Sequence, residues 1–367
     1  MNSQQIDYQK KIFILTVNLR IFSIMSLKQE QWNNLLQVIK EKKCTPIIGP
    51  EAYEEWLPRS RDLAQRWSET FKYPFAFQDF ELFYQKVKTT YNYPLEDSHR
   101  LAQVAQYLAI ENEFQDELYP KNILSQEIKK IEPPDFSLDE NRNKPYAVLA
   151  DLNLPIYITT NYDYFMEEAL VSKGKEPVTE ICRWNELLYR YTKEAGICSV
   201  FDKGKVDEEY EEEHTIKLEY SPNSKPYKPS VTEPLVYHLH GIVDEPQSMV
   251  LTERDYIDFA INLNKNDEKM TVPTPVRTAL ARSSLLFIGY RLEDITFRVI
   301  FQGVIRMLGD IRRPFSIAVQ VPPLFEEKAM AYLNQYTKNV FDANICLTSL
   351  EDFVSNLREK WDKYPKD

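Results

Sequence analysis

The sequence predicts an α/β fold, a mostly parallel sheet with helices on both faces and a helical module inserted into it. Three apolar runs that end abruptly on polar residues carry that expectation. They are Pro155-Ile-Tyr-Ile-Thr-Thr-Asn161-Tyr-Asp163, Leu235-Val-Tyr-His238-Leu-His240-Gly241 and Leu285-Leu-Phe-Ile-Gly289-Tyr290. Each reads as a buried strand bounded by turn residues. Helically spaced segments alternate with them, the pattern of crossover connections in a parallel sheet. Ligands of such sheets bind beyond the carboxyl ends of the strands. Asn161, Asp163, His240, Gly241, Gly289 and Tyr290 therefore mark the candidate site, polar enough for chemistry and arranged as at a nucleotide-binding edge.

The elements follow in chain order. Trp32, Leu35, Leu36 and Ile39 recur at helical spacing, so Leu27 to about Lys42 is expected as an amphipathic helix. Cys44-Thr-Pro-Ile-Ile-Gly49 is a short strand, followed by a turn and a helix from about Asp62 to Thr70. From about 71 to 144 the chain is rich in Tyr, Phe, Gln and Glu, with helical runs His99–Ile110 and Asn122–Ile131 between prolines. This is the inserted module, and Pro133-Pro134 with an acidic, Asn-rich connector marks its end. The stretch 201–234 holds the acidic run Asp207–Glu213 and then scattered prolines. It reads as a solvated surface excursion, with an acidic lid or docking segment as the other reading. Phe297, Ile300, Phe301, Val304, Ile305 and Leu308 form one helical stripe. Phe315–Val321 is a strand, Asn344–Leu347 a short apolar run, and a final helix begins at Leu350.

Residues 1–26 form an extension. Its apolar start, Ile12-Phe-Ile-Leu-Thr-Val, is interrupted by Asn18 and Arg20. Either it adds an element or it is disordered, with Met25 as an alternative natural start. A signal peptide is disfavoured for want of a small-residue cleavage site. The 367 residues suffice for one large α/β domain or two ordinary ones. A formal charge of −11 argues against a general polyanion-binding surface, so no direct contact with nucleic acid is expected. No apolar run has the length a bilayer demands. Cys44, Cys182, Cys198 and Cys346 form neither a zinc pattern nor a disulfide framework, which suits reduced thiols in a cytoplasmic protein.

Taken alone, Asn161 and Asp163 are better explained by turn chemistry than by a functional role. His238 and His240 alternate on one strand face, and His240 abuts Gly241 where a backbone turn exposes it to the crevice. Two of the four histidines fall here. No third ligand stands at a suggestive spacing, so no metal is expected.

Together, Thr159-Thr160-Asn161-Tyr162-Asp163, Leu239-His240-Gly241, Leu251-Thr-Glu-Arg-Asp255-Tyr256 and Gly289-Tyr-Arg291-Leu-Glu-Asp294 resemble the motifs of sirtuin-like domains. The similarity is closer to the bacterial branch found in anti-phage defence, and it runs from about Met25 to Leu350. It implies a Rossmann-like fold over 27–367 with NAD as substrate. It implies that Asn161 and Asp163 hold the nicotinamide end and that His240 acts as base at the ribose. Gly49, Thr160, Gly241, Gly289, Tyr290 and Arg291 are the further NAD-binding positions. In that branch water attacks the ribose, giving nicotinamide and ADP-ribose, and depletion of NAD is the defence. The CxxC pairs of deacylating sirtuins are absent after His240, where only Cys346 follows. A separate sensor or activator protein and a homo-oligomer are the partners the resemblance suggests.

One departure opens a second reading. Relatives carry a Gly-Ala-Gly-x-Ser type loop whose amides cradle the diphosphate at a helix start. Here the loop is Gly49-Pro50-Glu51-Ala52-Tyr53. Pro50 lacks an N–H, and Glu51 brings a Cβ and a charge. A carboxylate about 4 Å from a phosphate costs about 1 kcal/mol in water and about 4 kcal/mol at an effective dielectric of about 20. Arg59 and Arg61 either restore positive charge or pair with Glu54 and Glu55. An NAD hydrolase and a catalytically silent nucleotide-binding or scaffold module are the resulting alternatives. A signalling-nucleotide receptor in the same pocket is a third, with no specific residue behind it.

Overall fold

The structure is a computed structural model that describes residues 27–53, 56–75, 98–112, 115–194, 227–263, 272–290, 315–320, 335, 338–339 and 343–365. The strands among them are β1 (Cys44–Ile48), β2 (Ile156–Thr159), β3 (Val178–Ile181), β4 (Leu235–His238), β5 (Ser284–Ile288), β6 (Ser316–Gln320) and β7 (Ala343–Leu347). They form one sheet in the order β3-β4-β2-β1-β5-β6-β7, and every pairing is parallel. Side chains alternate faces along a strand, so a strand buried on both sides must be apolar throughout. Ile48, Tyr157, Val236, Leu286 and Ile317 enter one core. Their neighbours Ile47, Ile158, Tyr237, Phe287 and Ala318 enter the other.

Helices cover both faces. On the first side lie α1 (Gln29–Lys40), α2 (Ser60–Thr70), α3 (Ser98–Glu111), α4 (Tyr119–Ile128), α5 (Pro145–Asp151), α6 (Phe165–Val171) and α10 (Leu350–Lys363). On the second lie α7 (Glu186–Glu194), α8 (Glu253–Leu263) and α9 (Thr274–Arg282). The expected spacing in α1 is realised, with Trp32, Leu35, Leu36 and Ile39 all buried. α4 starts three residues earlier than its periodicity suggests because Pro120 lies in its first turn, where a missing N–H is harmless. Ser349 caps α10 by accepting the Asp352 N–H at 3.0 Å.

The chain leaves the central strand β1 to build β2, β3 and β4 on one side, then returns at β5 to the other. This places a topological switch at the carboxyl edge of β1 and β5, where open α/β sheets bind ligands. Residues 1–26, the acidic run 207–213, the stripe Phe297–Leu308, Arg291 and Cys198 lie outside the described residues. No described helix is long and apolar enough to cross a membrane.

Candidate functional site at the carboxyl edge of the sheet

Asn161 follows β2 and is buried, and its polar atoms can be accounted for one by one. Its N–H donates to Thr159 Oγ1 at 3.0 Å. Its carbonyl faces His238 Nδ1 at 3.0 Å. Its Nδ2 donates to the Gly49 carbonyl at 3.1 Å and to the Tyr146 hydroxyl at 2.8 Å. The Gly49 carbonyl can only accept, which fixes the amide orientation. Oδ1 alone has no partner among the described residues. A buried acceptor left open costs about 1–3 kcal/mol, so this atom is held ready for a donor that the described residues do not supply.

Asp163, also buried, accepts the Phe165 N–H at 2.9 Å through Oδ1, while Oδ2 is open. Burial pushes its carboxyl up to about 6, against the pull of the Phe165 N–H and of His238. Thr160 is fixed by its N–H on the Ile48 carbonyl at 3.0 Å. Its hydroxyl lies 3.0 Å from that of Tyr290.

The sequence spacing expects His238 and His240 on one face, and the structure separates them. β4 ends at His238, and the chain turns through Leu239 and His240. His238 faces α6, its Nε2 2.9 Å from Glu167 Oε1. His240 turns toward α8, between the rings of Tyr256 and Phe259 at 5.6 and 5.1 Å. Burial in that apolar box pushes the His240 imidazole down to about 3, so it is neutral near pH 7. Its Nε2 has no partner among the described residues. Gly241 makes the turn possible with φ +81, and a Cβ there would lie 2.3 Å from Ser248. The Ser248 hydroxyl in turn receives the Ile242 N–H at 3.0 Å.

The phosphate side of the crevice is different. The Gly49 N–H donates to the Ile288 carbonyl at 2.8 Å, the Glu51 N–H to the Gly289 carbonyl at 3.0 Å and the Ala52 N–H to the Gly49 carbonyl at 3.1 Å. Pro50 has no N–H to offer. Gly289, at φ +74, is pressed so close that a Cβ would lie 2.6 Å from the Ala52 nitrogen. The buried Tyr290 hydroxyl donates to the Ile48 carbonyl at 3.0 Å. The amides of residues 49–52 are thus consumed within the protein, and this loop as folded does not fit a diphosphate. The open atoms elsewhere at this edge are two acceptors, Asn161 Oδ1 and Asp163 Oδ2, and the His240 Nε2. Arg61 is buried at the start of α2, while Glu54 and Glu55 lie outside the described residues.

Several residues that build the site escaped the sequence reading. Tyr146 reaches Asn161 from a helix too short to show a period. Glu167 shares the buried side of α6 with Phe165, Met166, Ala169 and Leu170, beside an exposed Glu168. Nothing in the sequence distinguishes the two acids. Lys121 on α4 bonds Asp255 at 2.8 Å, and Asp255 also receives the Leu251 and Thr252 N–H groups at 3.0 and 2.9 Å. Asp255 stood in the Leu251–Tyr256 motif, whose Thr252-x-x-Asp255 spacing is a cap signature, but its partner Lys121 was not legible. Among the described residues no group of three or more His, Cys, Asp or Glu could hold a metal.

The chain is 22% identical over 184 residues to the NAD(+) hydrolase ThsA of Cytobacillus dafuensis, covering 50% of this chain and 28% of that protein's length. A solved structure from a study of the mechanism and regulation of Sir2 enzymes overlaps 92% of this chain and 98% of its own. At 11% identity and a TM-score of 0.33 that likeness carries no argument. Residues 155–341, which span Asn161, His240 and Gly289, match the family model of the SIR2-like domain, and the chain belongs to that family.

Proposed function

We propose that the protein is an NAD hydrolase, releasing nicotinamide and ADP-ribose, and that it serves anti-phage defence by depleting NAD. The observation that carries the reading is Asn161, a buried amide with every polar atom engaged except Oδ1, in a chain of the SIR2-like family. Asn161 Oδ1 and Asp163 Oδ2 are suited to accept from a carboxamide. Hydrolysis breaks the bond between the ribose C1′ and the nicotinamide nitrogen, whose electron pair leaves with nicotinamide. A bond to water oxygen forms at C1′, and one proton is released. A neutral imidazole at His240 is suited to accept a hydrogen bond from a ribose hydroxyl, although at about 3 it is a weak base near pH 7. The 22% identity to an NAD(+) hydrolase supports the same chemistry.

A second reading, a silent SIR2-like module, is favoured by the Gly49–Ala52 loop, whose amides are already bonded within the protein. For the hydrolase reading, the contact between the Gly49 and Gly289 turns must part when NAD binds. The two readings separate in one assay, chromatographic detection of nicotinamide and ADP-ribose from NAD. Wild type is expected to turn over. Asn161→Ala should lower the rate by about 10²–10³-fold and His240→Ala by about 10²–10⁴-fold. Turnover undiminished in both variants overturns the assignment. Activity only when Pro50→Ala, Glu51→Gly and Tyr53→Ser are combined favours the silent module, as does inactivity of every form.

A further inference from the structure

His238 is fully buried, and neither of its ring nitrogens faces a donor. Nδ1 lies 3.0 Å from the Asn161 carbonyl, which can only accept. Nε2 lies 2.9 Å from Glu167 Oε1. That same oxygen is 2.8 Å from Thr179 Oγ1, which donates to it. A neutral imidazole carries one ring proton and can satisfy only one of these two contacts. Two hydrogen bonds therefore need one further proton, on His238 or on Glu167. The hydroxyl of Thr179 donating to Oε1 favours the carboxylate, and so places the proton on the ring.

We infer that His238 is an imidazolium paired with the Glu167 carboxylate, a positioning residue that holds the main chain of Asn161 from behind and so aims its open Oδ1. The inference rests on the proposed role of Asn161 only for its functional meaning; the proton count stands apart from it. The charged and titratable surroundings agree. After β2 come the Asn161 carbonyl, the Asp163 carboxyl and the Tyr164 ring at 6.1 Å. From α6 comes Glu167, braced by Thr179 of β3. Burial alone pulls the imidazole down, but Glu167, the Asn161 carbonyl and Asp163 together outweigh it and leave it raised. Losing the shared proton leaves a ring lone pair against either the carboxylate or the Asn161 carbonyl. Asn161 then loses one of its restraints.

The test is nitrogen NMR of the histidine rings in the full chain at pH 7.5, with the His238 signals identified by their loss in His238→Gln. The expected result is two protonated ring nitrogens for His238. One protonated and one bare nitrogen overturns the inference, whether the remaining proton is absent or on Glu167. Glu167→Gln supplies an amide N–H for Nε2, so His238 is then expected to become singly protonated with the fold retained. Wild type is expected to lose NAD turnover at alkaline pH as the shared proton leaves, and in Glu167→Gln that loss should disappear; an unchanged alkaline limb counts against the positioning role. A doubly protonated His238 in a protein without NAD turnover would leave the dyad standing and sink the hydrolase reading. Turnover with a singly protonated His238 would do the reverse.

Discussion

Replacing Asp163 by Asn is expected to make this protein lose stability faster in acid, because two buried groups of opposite sign now offset each other. Asp163 is raised from 3.8 to about 6 in the fold, so its charged form is penalised there. As pH falls from about 6 toward 3.8 the folded carboxyl takes its proton first, and the fold gains about 1.4 kcal/mol per pH unit. His240 is lowered from 6.5 to about 3. Below pH 6.5 the unfolded chain binds a proton that the folded ring refuses, and the fold loses about 1.4 kcal/mol per unit down to about 3. Between pH 6 and pH 4 the two slopes nearly cancel. Asp163→Asn keeps an acceptor for the Phe165 N–H, removes the stabilising slope and takes away one of the charges that raise His238. Over those two units the variant should lose about 2 kcal/mol more than wild type, because the slope is only partial near each titration midpoint. Urea unfolding at pH 6, 5 and 4 measures this. Parallel pH dependences for the two proteins would refute the argument that burial raises Asp163.

Four further substitutions test the glycine after His240 and the buried Lys121–Asp255 pair. Gly241 and Gly174 share a left-handed φ, +81 and +71, but only Gly241 is crowded: a methyl group there would meet Ser248 at 2.3 Å, whereas one at Gly174 would meet nothing within 4 Å. Gly174→Ala should therefore cost only the backbone term, about 1–2 kcal/mol, and Gly241→Ala clearly more, read as a larger drop in urea midpoint; equal losses would remove the close-approach argument. Lys121→Met leaves the buried Asp255 carboxylate with only its two backbone N–H partners. It should cost about 3 kcal/mol, the low end for a broken buried pair, and adding Asp255→Asn should recover part of it in the same unfolding assay.

The sequence by itself determined the sheet and the addresses of its polar endings. Runs such as Leu285–Ile288 are apolar at every position because both faces are covered, and a turn must follow where the run stops. The strands around Asn161, His240 and Gly289 were legible for that reason, and so were the amphipathic α1 and α10. β3 was not, since Val178-Thr-Glu-Ile181 is half-buried over its first two residues and carries a buried acid. Short buried helices such as α5 offer too few residues to show a period.

Which partners each polar atom finds was decided only by tertiary structure. Asn161 is aimed by Gly49, Tyr146 and His238, which lie 112, 15 and 77 residues away in the chain. His238 and His240 look equivalent in sequence, yet one faces a carboxylate and the other two aromatic rings. Burial and neighbours, not residue type, set the charge a histidine carries. The loop followed the same rule. Pro50 and Glu51 announced a departure in the sequence, but only the packing of Gly49 against Gly289 decided that its amides bond within the fold.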